Sequence, residues 1–406
     1  MTLAEVPLLL MLVGLTAYAV LGGADFGAAF WQLGARSEAR REHAYRAMGP
    51  VWEANHVWLV FVLAICWTAY PEAFASIFST LSVPLFIAAL GIILRGTAYA
   101  VHAGTAREIE RQAIDAVFSV SSILTPFALG AAIGGIASGR VPVGNAEGDL
   151  VTSWVNPTSF AIGTIAVATG AYLAAVYLAG DARRAGLDDL AAAFRTRALA
   201  AGAVTGTLAL GGLLVVFLDA ERLRDGLFGW PAIVAIVASA VAGLATLELV
   251  RRARFEPARY LASAAVAAIV VGWALAQRPE LLPGLTVEQA AAERSTLIAT
   301  ILGVAVGAAL LVPSLTLLFG LVLRGRFDHE AAETQVGTRA LTAVVHRPPL
   351  AGLAILALAV GLPLTLGADG GPVQGVGVVA LLAFVAFGSA ALGSAAAAVA
   401  ARDEDG

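Results

Sequence analysis

The chain has 406 residues, of which 59% are hydrophobic and 13% charged, and its mean hydropathy is +0.84. Soluble domains carry about 45–50% apolar and about 25% charged residues, so this composition excludes an ordinary soluble protein and places the chain in a bilayer. A net charge of -4 spread over many loops excludes nucleic acid as a partner, and the single cysteine, Cys66, excludes an internal disulfide.

The first apolar run, 5–33, is longer than the apolar core of a secretory signal and has no Ala-x-Ala exit, so it is expected to remain as a transmembrane helix. It carries Asp25 within LGGADFGAAF, where glycines let another helix come close. The second span, 51–70, opens just after Gly49-Pro50, and Pro suits the first turn of a helix. Trp52, Glu53, Asn55, His56 and Trp58 occupy its first turns. The third span, 75–101, carries Arg95 near its far end, in IILRGTAYA. Six more are expected near 115–138, 158–180, 198–218, 230–250, 260–277 and 297–323. A helix needs about 20 apolar residues to cross the hydrocarbon. Residues 327–349 read as a polar connector, and 350–406 as a C-terminal extension with helices near 350–367, interrupted by Pro363, and 375–400. The expected fold is an all-α polytopic membrane protein of about 9–11 helices.

Lysine is absent, so all 25 basic residues are arginine. Eighteen of them lie in odd-numbered loops, whereas the even loops hold Arg140, Arg222, Arg224, Arg278 and Arg294. Cytoplasmic loops collect positive charge, so the odd loops are expected inside and the N-terminus outside. Asp25, Glu53 and Arg95 then all fall in the cytoplasmic half of three consecutive helices. Asp25 lies nine residues before Gly34, or about 13 Å at 1.5 Å per residue.

Ionisable residues at such depth are expensive and mark function by default. Burial raises a carboxyl pKa and a nearby cation lowers it, so a carboxyl balanced between the two can exchange protons near neutral pH. Arg95 is the candidate cation. Two readings of this set stay open: a proton path, or an inert Asp–Arg clamp joining three helices. Glu53 and His56 form Glu-x-x-His on one helix face. Di-iron bundles need two such motifs and two further Glu, and no second motif is present, so His56 is expected to be a structural, hydrogen-bonded residue rather than a metal ligand. Heme ligation by this chain is not expected either. His43, His102, His329 and His346 fall in loops or at helix ends, and Met11 lies near the face opposite His56. Trp52 and Trp67 suit the membrane interface, while Trp58 sits deeper. A proton-coupled secondary transporter is an alternative, but the later spans carry no broken, polar midplane site.

The stretches GLTAYAVLGGADFGAAFWQLG, MGPVWEANHVWLVFVLAICWTAYP and IILRGTAYA resemble subunit II of cytochrome bd-type quinol oxidases, in that family's order and spacing. The likeness extends over about residues 3–326. It implies a fold of two four-helix-bundle-like units plus a peripheral helix. It also implies a bacterial inner-membrane complex that oxidises quinol from the quinone pool on the outer side and reduces dioxygen to water. The b- and d-type hemes are implied to sit in a partner, subunit I, against which this chain packs. Residue by residue, Asp25 and Glu53 match proton-path acids, Asn55 and Arg95 match their hydrogen-bond and charge partners, and Trp58 matches a position tied to the oxygen route. Set beside one member of that family, the chain departs at Glu53, where that member has Asp, and at His56, where it has Gln. The region beyond about 326 has no counterpart in the family.

Overall fold

The structure, a computed structural model, describes residues 2–33, 43–44, 52–102, 108–322 and 348–367, with scattered positions between 372 and 387. The described elements are helices and one short hairpin. In chain order they are α1 (Glu5–Leu33), α2 (Trp52–Ala69), α3 (Pro71–Thr80), α4 (Ser82–His102), α5 (Glu108–Ala137), α6 (Pro157–Arg184) and α7 (Asp188–Asp219). There follow α8 (Glu221–Leu227), α9 (Trp230–Arg251), α10 (Phe255–Gln277), β1 (Glu280–Leu282), β2 (Leu285–Thr286), α11 (Val287–Ala290), α12 (Arg294–Val322) and α13 (Pro348–Gly367). Seven of these, α1, α4, α5, α6, α7, α9 and α10, are long and apolar enough over their described residues to cross a membrane. The described apolar parts of α2, α12 and α13 are shorter. The chain divides into two compact units, Met1–Val306 and Gly307–Gly406.

The sequence of α6 explains its central place in the first unit. Its run GAYLAAVYLAGDA offers small residues on every side, and Leu173, Ala174, Ala175, Val176, Leu178 and Ala179 are all essentially fully buried. Lipid is as apolar as Leu, so helices in a bilayer associate where small side chains let backbones meet. α1 does this with Gly27: a Cβ there would lie 1.9 Å from the Gly170 carbonyl oxygen of α6. α5 does it with Gly130, where a Cβ would lie 2.8 Å from Cα of Gly163. The half of α1 that holds Asp25 thus packs on α6 and α5, and the half before it packs on α2. The start of α6 is set by Asn156, whose side chain accepts from the Ser159 N–H at 2.9 Å, followed by Pro157 at the first helical position.

Three local features depart from the sequence reading. The span expected at 75–101 is two helices, α3 and α4, that break at Leu81. Pro84 has no N–H to give the Thr80 carbonyl, and its ring disfavours a continuous helix there. Conversely, Pro363 does not interrupt α13, which runs through it; membrane helices tolerate Pro when neighbours satisfy the freed backbone. The segment 280–290 falls between two expected spans and carries no element in the sequence reading. It forms the β1–β2 hairpin, pairing Glu280 with Thr286 and Leu282 with Leu285, and then α11, closed by a Thr286–Gln289 capping box. In the second unit, Gly361 of α13 meets Leu381, with a Cβ at Gly361 reaching within 2.9 Å of its backbone nitrogen.

Candidate functional site

Asp25 on α1 and Arg95 on α4 form an ion pair, Arg95 Nη2 donating to Asp25 Oδ1 at 2.7 Å. Both are buried, at 5% and 0% exposure. Asp25 lies eight residues before the end of α1 and Arg95 seven before the end of α4, about 10–12 Å of helix in each case, so the two helices deliver the charges to one depth. The guanidinium is held between two rings, with Cζ 4.7 Å from the Phe26 centroid and 5.1 Å from that of Phe118 on α5. Ring faces are negative and stabilise a desolvated cation. Three helices thereby converge on one buried arginine. Asp25 Oδ2 has no hydrogen-bond partner among the described residues.

A π-turn shapes the helix just before Asp25. Between Tyr18 and Gly22 the helix widens, and the Gly23 N–H reaches back to the Tyr18 carbonyl. Such turns are rare, and they concentrate at functional sites because they free backbone groups from the α-helical ladder. Here Asn55 of α2 supplies a donor: its Nδ2 reaches the Leu21 carbonyl oxygen at 3.3 Å. Asn55 is 6% exposed, and a buried carbonyl without a donor would cost about 1–3 kcal/mol. His56, next on α2, packs its ring 6.0 Å from both Tyr18 and Phe26, edge-on to Tyr18.

Asp25, Asn55, His56 and Arg95, four of the residues singled out in the sequence, therefore meet around one stretch of α1. Trp58 does not join them: it is half-buried, edge-on to Phe61 at 6.2 Å, and Phe61 in turn covers Gly14, farther from Asp25 along α1. Trp52 and Glu53 begin α2, but their side chains lie outside the described residues. Sequence reasoning missed Tyr18 and Phe118, ordinary aromatics in apolar runs whose partners come from distant helices. Among the described residues no three His, Cys, Asp or Glu side chains converge as a metal-binding set.

Comparison with known proteins bears on what such a site serves. The sequence model of the family described as cytochrome bd terminal oxidase subunit II matches residues 3–322. A Bacillus subtilis (strain 168) protein, a putative cytochrome bd menaquinol oxidase subunit II, is 26% identical over 241 residues, 56% of this chain and 67% of that protein. A second protein of that organism, cytochrome bd ubiquinol oxidase subunit 2, is 29% identical over 111 residues, 27% of this chain and 33% of that one. Among solved structures, the bd oxidase from Geobacillus thermodenitrificans aligns with a TM-score of 0.66 and 25% identity, covering 80% of this chain and 99% of the matched chain.

Proposed function

The chain belongs to the cytochrome bd terminal oxidase subunit II family, and from that membership we propose how its buried polar cluster serves the oxidase. It is a multi-pass membrane subunit of a quinol oxidase, an oxidoreductase complex, and assembles with a partner oxidase subunit. Our reading is that it sits in a bacterial inner membrane with its N-terminus outside. On this reading it packs on a heme-bearing subunit I that takes electrons from quinol, and it conducts protons from the cytoplasm toward that partner.

The observation that carries the proton role is the Asp25–Arg95 pair, two charges with at most 5% exposure in helices otherwise built for lipid. Arg95 occupies one carboxylate oxygen and orients the other as an acceptor. Glu53, on the first turn of α2, takes protons from the cytoplasmic side, and Asn55 fixes the widened turn of α1 beside Asp25. Trp58 belongs on this reading to the route of dioxygen. The b- and d-type hemes supply the oxygen chemistry from the partner. That assignment is supported by how the ligand-type side chains among the described residues are engaged; His329, His346 and the side chain of His102 lie outside them. His43 pairs its Nε2 with the Leu178 carbonyl oxygen at 3.1 Å. His56 is enclosed by Tyr18 and Phe26, and Met11 packs into the apolar cluster around Ile65 and Tyr70.

A second reading, an inert clamp, has its own support in the two rings that seal the guanidinium. Quinol-driven oxygen consumption by the two-subunit complex separates them, with the heme absorbance spectrum as the control for assembly. Asp25→Asn and Glu53→Gln are expected to lower the maximal rate at least about tenfold, and Asp25→Glu serves where Asn disturbs assembly. Trp58→Ala is expected to raise the oxygen concentration that gives half the rate. Unchanged turnover with intact heme removes each residue in turn from its role.

A further inference from the structure

We propose that the Tyr18 hydroxyl is the relay group that follows Asp25 in the proton route, an assignment that rests on the reading of Asp25 given above. Tyr18 is 94% buried, its exposure being 6%. Its hydroxyl is without a hydrogen-bond partner among the described residues, as is Asp25 Oδ2. A phenol so placed costs about 1–3 kcal/mol if it stays unsatisfied, and each such group in a native interior calls for an explanation such as bound water or a catalytic role. Two of them stand here on one helix, seven residues apart, which is about 10 Å along the axis.

The surroundings hold the ring in place. Gly22 has no side chain, and a Cβ there would lie 3.1 Å from Tyr18 Cε2, so the Tyr18 ring lies over the gap that glycine leaves. Phe26 and His56 meet it edge-on at 6.4 and 6.0 Å. The π-turn that starts at Tyr18 is secured from α2 by Asn55. An apolar Phe would satisfy all of these packing contacts, so they do not account for the hydroxyl. Its chemistry does: a phenol accepts a proton on its oxygen from a water that the Asp25 carboxylic acid reprotonates, and gives its own proton to a water on its far side, so it is neutral before and after while Asp25 is left as carboxylate for the next proton. Bridging water, nearly as strong as a direct hydrogen bond, would close the interval to Oδ2.

The test uses the assembled two-subunit complex and the Tyr18→Phe substitution, which removes the oxygen alone. Quinol-driven oxygen consumption is measured in H2O and D2O, beside thermal unfolding in detergent and the heme spectrum. The expected result is turnover reduced about tenfold or more, a larger solvent isotope effect, and a melting temperature equal to or above that of the parent. Parental turnover in Tyr18→Phe beside a slowed Asp25→Asn overturns the role of Tyr18 and leaves that of Asp25 standing. Parental turnover in both overturns the proton reading itself. Slow turnover with a lowered melting temperature and an unchanged isotope effect makes the hydroxyl structural and overturns the relay. A slow Tyr18→Phe beside a normal Asp25→Asn overturns it as well, since the protons then bypass Asp25.

Discussion

Arg95 is the side chain around which the site is organised. It is fully buried, paired with Asp25 and stacked between Phe26 and Phe118. Removing one member of a buried pair strands the other charge, at a cost of about 3–5 kcal/mol, whereas replacing both with apolar residues is often neutral. Arg95→Met is therefore expected to deplete the heme-loaded complex in membranes. The double variant Asp25→Leu with Arg95→Met is expected to restore assembly but not turnover. Heme content per unit of membrane protein, with oxygen consumption on the purified complex, reads both. Full activity in the double variant would reduce the pair to a clamp, and normal stability in Arg95→Met would contradict the energetic argument.

The helices set these side chains by approaching more closely than ordinary residues allow. α1 carries its site half against α6 through Gly27 and Gly170, and Trp31 adds a hydrogen bond from its Nε1 to the Ala171 carbonyl oxygen at 2.7 Å. A methyl group at Gly27 would have to displace backbone rather than a flexible side chain. Gly27→Ala is accordingly expected to cost about 1–3 kcal/mol, seen as a lower melting temperature of the complex in detergent. Gly243→Ala in α9 is the control, since nothing lies within 4 Å of its Cβ position; it is expected to melt at or above the parental temperature. Equal melting of the two variants would mean that α1 and α6 do not meet as described.

Taken whole, the chain extends beyond its family match. The family match ends at residue 322, and the matched oxidase chain is covered to 99% by 80% of this one. We propose that the remainder, the connector 327–349 and the extension 350–406, is an appendage that the oxidase core does not need. Helix α13 exposes Ile355 and Leu356 at 67% and 59% while burying Ala354, so one side of it is packed and another is apolar and open, as a membrane segment requires. Ending the chain after about residue 330 is expected to leave heme incorporation and turnover at parental levels. Loss of the complex on truncation, judged by the heme spectrum of membranes, would make the extension part of the core.

The positions of most described spans were readable directly, because insertion depends on hydrophobicity added up along some 20 neighbouring residues, a local quantity; the expected helix at 375–400 lies mostly outside the described residues. For the same reason Asp25 and Arg95 stood out one at a time, each a charge in an apolar run. That they touch at 2.7 Å, that Phe118 seals them, that Gly170 is the surface Gly27 needs, and that α1 widens at Tyr18 to be held by Asn55 left no mark in any single window. Those facts belong to helices brought together from far along the chain. Their cause is the fit of small residues against backbone, which has no counterpart in composition or period.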